Sequence, residues 1–193
     1  MSQYRRCQRP DHTYFFTVRT ARRGTDLLLR EIEVLRHAMR RTQARHPFDI
    51  VEIVVLGDVI HCLWRLPPGD ADYATRWRMV KTLLSRAVDA PGDVRTAGLR
   101  PGEKGLWQRR FWEHMIRDEA DLAAHRHLIF CAPVQAGLVN RPEAWPHSSV
   151  HRAIRRGEFT PGGAVGLAYA PLRARHLRVT NITAPDVAQG ATS

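Results

Sequence analysis

Four side chains that can bind a soft metal ion occur in two short segments of the sequence. His61 and Cys62 are adjacent in an apolar run, and His127 and Cys131 are four residues apart. Residues four apart share one face of a helix, so His127 and Cys131 could hold an ion together with His61 or Cys62. Structural zinc sites are almost always four-coordinate. No fourth ligand is evident, so the sequence disfavours a zinc site, and we expect His61 to be a hydrogen-bonded or DNA-facing histidine rather than a metal ligand.

A second pattern alternates aromatic rings with positive charges along residues 107–114. Aromatic rings stack on bases, and guanidinium groups pair with phosphates, so this segment is a candidate for nucleic-acid binding. The candidate residues are Trp107, Gln108, Arg109, Arg110, Trp112 and His114. The alternative is a core strand with Trp107 and Phe111 facing inward and Arg109 outward. Both interpretations can hold, because successive residues of a strand face opposite sides.

The charge balance also favours a polyanionic partner. The chain has 193 residues, with 30 Lys plus Arg against 19 Asp plus Glu and a formal net charge of +11. Such an excess replaces the counterions condensed on phosphates. Arg5 and Arg6 form a basic N-terminal arm, and Arg76 and Lys81 on a predicted helix could line a nucleic-acid groove. The alternative for each group is a solvated face.

Composition excludes several other classes. Hydrophobic residues make up 44% of the chain, which argues against a disordered protein. No run approaches 18 apolar residues, so we expect no membrane span. Residues 1–10 lack the apolar core of a secretory signal, and three cysteines cannot form a disulfide framework. We therefore expect a cytoplasmic bacterial protein, nucleoid-associated if it binds DNA.

Strand and helix patterns alternate along the chain. Residues 12–20 predict one strand, and two apolar runs at 49–56 and 60–66, split by Gly57-Asp58, predict a hairpin. Helical spacing of apolar residues predicts helices over 25–45 and 71–88. The remaining predicted elements are a short strand within 106–115 and a helix over 118–131 with Asp118 as its N-cap.

This order of elements predicts an α+β fold. It is the split βαβ, ferredoxin-like pattern, with an antiparallel sheet and helices mainly on one face. The other face of the sheet would then be free for a ligand. We assign residues 1–163 to one domain and the basic, Gly/Ala-rich residues 164–193 to a C-terminal tail.

Several stretches together resemble one protein family. They are YRR at 4–6, TYFFTV at 13–18, PFDI at 47–50, VVLGDVIHCLWRLPPGDADYATRWRMVK at 54–81, WQRRFWEHMIRDEADLAAH at 107–125, PVQAGLV at 133–139 and WPHSSVHRAIRRGEF at 145–159. In this order and spacing, the chain resembles the REP-associated tyrosine transposases, a bacterial branch of the single-tyrosine HUH transposases. The resemblance runs from about residue 4 to about residue 160.

The resemblance implies the HUH fold and cleavage of single-stranded DNA. In the family, a tyrosine attacks a phosphodiester and forms a covalent phosphotyrosine link. A divalent ion, Mg²⁺ or Mn²⁺, polarises the phosphate and is held by two histidines of one strand and a polar residue of a helix. Histidines at i and i+2 of a strand point the same way, and residues at i and i+4 of a helix share a face, so all four groups can converge.

The sequence departs from this pattern at three of the four positions. Val59 occupies the place of the first histidine, and His61 keeps the second. Leu128 occupies the place of the tyrosine, and Ala132 that of the asparagine. Valine and alanine carry no donor atom for a metal, and leucine has no hydroxyl. One histidine is a poor site for Mg²⁺, which prefers oxygen ligands, so we expect no cofactor here.

We therefore predict a protein of this family that binds structured single-stranded DNA, of the REP hairpin kind, with little or no cleavage. One alternative is an active transposase or endonuclease that forms a 5′-phosphotyrosine intermediate in a rearranged site. Another is a non-catalytic regulatory module that binds RNA or protein. The sequence does not decide between a monomer and a homodimer.

Overall fold

The computed structural model describes residues 12–88 and 104–162. The elements are strand β1 (Thr13–Arg19), helices α1 (Leu27–Arg30) and α2 (Ile32–Arg45), strands β2 (Asp49–Val55) and β3 (Val59–Arg65), helix α3 (Tyr73–Ala87), strand β4 (Trp112–Met115), helix α4 (Glu119–Gln135), a 3-10 turn (Pro142–Ala144) and helix α5 (Val150–Arg155). The expectations for Arg5, Arg6 and the C-terminal tail concern residues outside the described parts, and the domain boundary stays a prediction.

The four strands form one antiparallel sheet in the order β2-β3-β1-β4. Helices α1 and α2 connect β1 to β2 along the chain, and β3 lies between these two strands in the sheet. This arrangement is the predicted split βαβ pattern. The register places His61 of β3 opposite Thr17 of β1, and Thr17 opposite Trp112 of β4. These three residues form a row across the sheet and point to the same face. The predicted α+β fold class is confirmed.

Each face of the sheet carries its own hydrophobic core. On one face, Tyr14 and Phe16 of β1 pack with Trp64 of β3 and with the apolar sides of α2 and α3. Alternate residues of the same strands, among them Phe15 and Leu63, pack on the other face against α4 and α5. Helices α2 and α3 cover the first face as predicted. The other face was expected to be free for a ligand, and this expectation is wrong. Helices α4 and α5 cover it because the strands are apolar on both sides.

Three predicted elements differ from the observed ones. The helix over 25–45 is broken at Glu31 into α1 and α2. Only four residues of the segment 106–115 pair as strand β4. Helix α4 continues to Gln135, with Pro133 inside it, whereas the sequence places its end before this proline. Its N-cap is as predicted, since the side chain of Asp118 accepts a hydrogen bond from the backbone N–H of Asp121.

Within residues 12–88 and 104–162, no helix has both the length and the apolar character needed to cross a bilayer.

Candidate functional site

The four positions to which the family resemblance assigns catalytic residues lie between the sheet and helix α4. We call them the substituted pocket: Val59, His61, Leu128 and Ala132. Val59, Leu128 and Ala132 belong to one buried apolar cluster and are 0%, 7% and 4% exposed. His61 lies on the same face of β3, between Val59 and Leu63, and is fully buried. The fold therefore brings the four positions into one core region, as their spacing on a strand and a helix predicts.

His61 is a neutral core histidine in this pocket. Its Nδ1 shares a hydrogen bond of 2.9 Å with the hydroxyl of Thr17, and its ring stacks on Phe15 at a centroid distance of 5.9 Å. Its Nε2 is buried and has no hydrogen-bond partner among the described residues. Burial, together with the positive charge of Arg19, lowers the pKa of His61 to about 3. The imidazole is therefore uncharged at neutral pH.

The divalent ion that the family resemblance implies does not fit these residues. The Nε2 of His61 is the one orphaned polar atom of the substituted pocket, and the side chains of Val59 and Ala132 offer only carbon. A hard divalent ion needs several oxygen donors around it. The buried hydrocarbon of the substituted pocket supplies none, so we assign no metal-dependent step to it.

The proposed pair of His127 and Cys131 does meet on helix α4. Cys131 Sγ lies 3.5 Å from Nε2 of His127, as expected for residues four apart. Burial raises the pKa of the Cys131 thiol to about 11, so the sulfur is a protonated thiol at neutral pH. Cys62 faces the opposite core, on the α2 and α3 side of the sheet, and so it cannot complete a site with this pair.

Four exposed arginines surround the end of the sheet nearest the substituted pocket. We call them the arginine rim: Arg22, Arg23, Arg109 and Arg110. The two pairs are neighbours because Thr20 bridges to Trp107 and the backbone N–H of Gln108 donates to the carbonyl of Arg19. The alternation of aromatic and basic residues predicts Arg109 and Arg110 as DNA-binding residues, but it does not predict Arg22 and Arg23. Nothing in the local pattern distinguishes Arg22 and Arg23, and only strand pairing places them here.

Arg19 is a further residue that the sequence analysis missed. It pairs with Val59 across the sheet and is 7% exposed. Burial lowers its pKa, and the nearby Asp58 carboxylate opposes this shift. Asp58 also accepts a hydrogen bond from the backbone N–H of Gly24 at 3.0 Å, which fixes the loop that carries Arg22 and Arg23. The alternation of β1 could have identified Arg19 as a charge on the face of Thr17.

Three of the predicted DNA-binding residues hold the segment before β4 in place. Lys81 donates to the carbonyl of Gln108 at 2.9 Å, and its ammonium lies over the rings of Trp107 and Phe111. The indole N–H of Trp107 donates in turn to the carbonyl of Lys81 at 3.2 Å. Lys81, Trp107 and Gln108 therefore act here by positioning the neighbouring arginine rim, and a DNA contact of their own stays a prediction.

Arg76 is buried, which is unfavourable for the predicted role in a DNA groove. The residue is 3% exposed, and its guanidinium forms a salt bridge of 2.6 Å with Asp70. It also donates to the backbone carbonyls of His46, Pro47 and Asp72. The hydrogen bond from Arg76 lowers the pKa of the Asp70 carboxyl. Arg76 joins the start of α3 to the end of α2, and we leave it out of the proposed interface.

Trp112 and His114 of β4 belong to a column of stacked rings next to the substituted pocket. The rings of Trp112 and His114 are 5.7 Å apart and nearly parallel, and His114 stacks on His125 of α4 at 4.7 Å. His114 donates to the carboxylate of Asp121 at 2.8 Å. Burial alone would raise the pKa of Asp121, but hydrogen bonds from Arg117 and His114 outweigh it and hold the pKa below its usual value.

A buried carboxylate ties the C-terminal part of the described chain to the sheet and to α4. Glu52 of β2 is 3% exposed and accepts hydrogen bonds from Arg126 at 3.0 Å and from the hydroxyl of Ser149 at 2.6 Å. Arg152 lies 3.4 Å from the same carboxylate, and Arg126 also pairs with Glu158 at the surface. Glu52 thus fixes α4, which carries half of the substituted pocket, against β2.

Comparison with known proteins gives relatives over most of the chain. The chain is 39% identical to the REP-associated tyrosine transposase of Escherichia coli (strain K12) over 159 residues, which are 82% of this chain and 88% of that protein. It is 40% identical to a Haemophilus influenzae protein that carries the same name provisionally, over 80% of this chain and 89% of the relative.

A solved structure agrees with these relatives. It is that of a REP-associated tyrosine transposase bound to a REP hairpin, and it matches with a TM-score of 0.73 and 33% identity over 100% of both chains. A scan against models of protein families finds no match. The identity and coverage of the curated relatives, together with the shared sheet and helices, show that this chain belongs to the REP-associated tyrosine transposase family.

Proposed function

We propose that this chain binds structured single-stranded DNA of the REP hairpin kind and does not cut it. Support for hairpin binding comes from the likeness to a transposase solved with a REP hairpin, which extends over both chains in full. The observation that carries the lack of cleavage is the buried hydrocarbon at the position of the family's nucleophile, where Leu128 is 7% exposed. The proposed function is therefore recognition of hairpin DNA by the family fold, without cleavage.

The arginine rim supplies the electrostatic part of this binding. Its four arginine residues are exposed and lie at the same end of the sheet, and Arg19 adds a buried positive charge beside Val59. Arginine pairs with phosphate through two parallel hydrogen bonds, which orients the DNA backbone as well as attracting it. The half-buried ring of Trp112 lies on the face of the substituted pocket and offers a surface on which a base can stack.

The alternative of an active enzyme with a rearranged site requires another nucleophile. Tyr14 and Tyr73 are the only tyrosines in the described parts of the chain, and both are fully buried in the core between the sheet and α3. The sheet separates them from His61. Tyr4 and Tyr169 lie outside the described residues. The burial of the two described tyrosines therefore favours binding without cleavage, and a covalent adduct assay tests this alternative directly.

The decisive binding experiment compares nucleic acids by fluorescence anisotropy. A DNA hairpin with a single-stranded 5′ tail should bind more tightly than a duplex or an RNA hairpin of the same sequence. Affinity should fall linearly on a double-logarithmic plot against salt, because phosphate contacts release counterions. Equal affinity for DNA and RNA, or no salt dependence, would contradict the proposal and favour a module that binds RNA or protein.

Variants of the arginine rim locate the interface. Arg23→Gln and Arg110→Gln should each weaken binding to all hairpins and lower the salt slope by about 0.7 to 0.9, the value of one phosphate contact. Arg45→Gln is the matched control, because Arg45 is also exposed but lies near the start of β2, at the opposite end of the sheet. A loss of affinity in Arg45→Gln as large as in the rim variants would refute this placement.

A further inference from the structure

Two histidines and an aspartate form a compact donor cluster outside the substituted pocket. His114 Nε2 lies 2.8 Å from Oδ2 of Asp121, and His125 Nδ1 lies 3.2 Å from Oδ1 of the same carboxylate. One donor atom from each of the three residues lies within 4.8 Å of the others. The side chains of Asp121 and His125 are 3% and 1% exposed. The ring of Phe15 separates this cluster from His61, since it contacts both His61 and His125.

The secondary structure holds the three donors in place. Asp121 and His125 are four residues apart on α4, so they share a helix face, and the cap by Asp118 fixes the first turn of that helix. His114 belongs to β4, which pairs with β1. Preformed donors on rigid elements lower the cost of ordering a site when a ligand binds. The two elements meet here without any contribution from the family's metal-ligand positions.

We propose that His114, Asp121 and His125 bind one divalent transition-metal ion of the zinc class at the junction of β4 and α4. Two imidazole nitrogens and one carboxylate oxygen suit zinc, cobalt and nickel, whereas Mg²⁺ requires mainly oxygen donors. Solvent supplies the remaining ligand. It has access along the edge of His114, whose side chain is 26% exposed. This proposal does not depend on the proposed function, because it concerns binding to the protein alone.

Metal binding changes several contacts of the cluster. His125 Nδ1 donates to the backbone carbonyl of Asp121 at 2.8 Å, and this hydrogen bond must break before the nitrogen can bind an ion. Arg117, whose side chain is 67% exposed, donates to Oδ2 of Asp121 at 3.0 Å and must release it. The rings of His114 and His125 are stacked with an interplanar angle of 15°, so one ring must turn about its Cβ–Cγ bond before both lone pairs point to one ion. Because His114 also stacks on Trp112, this rotation changes the surroundings of the indole. Intrinsic tryptophan fluorescence therefore reports the event.

The test is a titration of the chelator-treated full chain with Zn²⁺, followed by calorimetry and tryptophan fluorescence, and repeated with Mg²⁺. We expect one Zn²⁺ per chain with a dissociation constant of about 1 μM or tighter, a change in fluorescence, and no binding of Mg²⁺ at the same concentrations. Co²⁺ should give visible absorption typical of nitrogen and oxygen ligands. Absence of Zn²⁺ binding overturns the proposal.

Variants assign the ion to this cluster. His114→Ala and Asp121→Asn should each weaken Zn²⁺ binding at least about 100-fold. Removal of a residue that only supports a metal ligand already weakens metal binding about 10- to 100-fold, and removal of a ligand should cost at least as much. His127→Ala is the matched control, because His127 lies on the same helix but outside the cluster. If Asp121→Asn does not fold, His114→Ala decides, because the side chain of His114 is partly exposed and its removal is less disruptive. Zn²⁺ binding that survives His114→Ala, or that is lost in His127→Ala, overturns the assignment.

Discussion

Replacement of His61 by leucine should remove much of the acid sensitivity of this protein. The imidazole is fully buried and uncharged, and its pKa is lowered from the ordinary 6.5 to about 3 by burial and by the charge of Arg19. Unfolding exposes the ring to water, where it takes up a proton below pH 6.5. The folded state is therefore penalised as the pH falls through this window, because only the unfolded state binds the proton.

The size of the effect follows from the two pKa values. One pH unit corresponds to about 1.4 kcal/mol for a group that is protonated only in the unfolded state. The stability linked to neutral His61 is fully present above pH 6.5 and is lost progressively toward pH 3. At pH 4.5, two units below the unfolded pKa, the wild type should have lost about 3 kcal/mol relative to pH 7.5 from this residue alone.

Urea unfolding of wild type and His61→Leu at pH 7.5 and 4.5 measures this difference. At pH 7.5 the variant should be about 1 to 2 kcal/mol less stable, because the hydroxyl of Thr17 loses its partner. Between the two pH values it should lose about 3 kcal/mol less than the wild type. His125 and His147, whose pKa values burial also lowers, act in both proteins and cancel.

The exposed His37 on α2 provides the control. His37→Gln should keep the wild-type difference between the two pH values. If His61→Leu loses as much stability on acidification as the wild type, then His61 is not the neutral core histidine inferred here, and the environment assigned to the substituted pocket is wrong.

Two further variants test the structural roles of buried charges. Arg76→Met should cost about 3 kcal/mol in the free energy of unfolding, since it removes the salt bridge to the Asp70 carboxylate and the hydrogen bonds to three backbone carbonyls. Hairpin affinity of the folded variant should stay unchanged, and a specific loss of DNA affinity would restore the predicted role of Arg76. The exposed neighbour variant Arg78→Met should cost less than about 0.5 kcal/mol. Glu52→Gln should cost about 3 kcal/mol in the free energy of unfolding, measured by heat or urea, because Glu52 is buried among its partners. Glu158→Gln should cost less than about 1 kcal/mol, because Glu158 is exposed. Equal effects of the two variants would contradict this account.

The fold was largely predictable because local signals agree with it. The apolar runs on either side of Gly57-Asp58 form β2 and β3, and Asp118 caps α4 as its position suggests. The covering of both sheet faces was not predicted. A strand such as β1, which is apolar at Tyr14, Phe15 and Phe16 in succession, indicates burial on both sides of the sheet.

The site was predictable only in part, because its assembly depends on contacts distant in sequence. The spacing of Val59, His61, Leu128 and Ala132 was sufficient to place them in one region. By contrast, the burial of Arg76 depends on carbonyls about 30 residues earlier in the chain, which no local pattern reveals. The arginine rim likewise depends on the pairing of the end of β1 with residues 106–108.

The measurement that tests the central claim most directly is a covalent adduct assay. The protein is incubated with a 3′-labelled DNA hairpin and Mg²⁺ or Mn²⁺ and then separated on a denaturing gel. The wild type should bind the hairpin in a parallel anisotropy experiment and form no labelled protein band. The combined variant Val59→His/Leu128→Tyr/Ala132→Asn, which restores hydroxyl and ligands, should form that band. A band with the wild type would contradict the account, and a folded, DNA-binding triple variant without a band would refute the assigned catalytic positions.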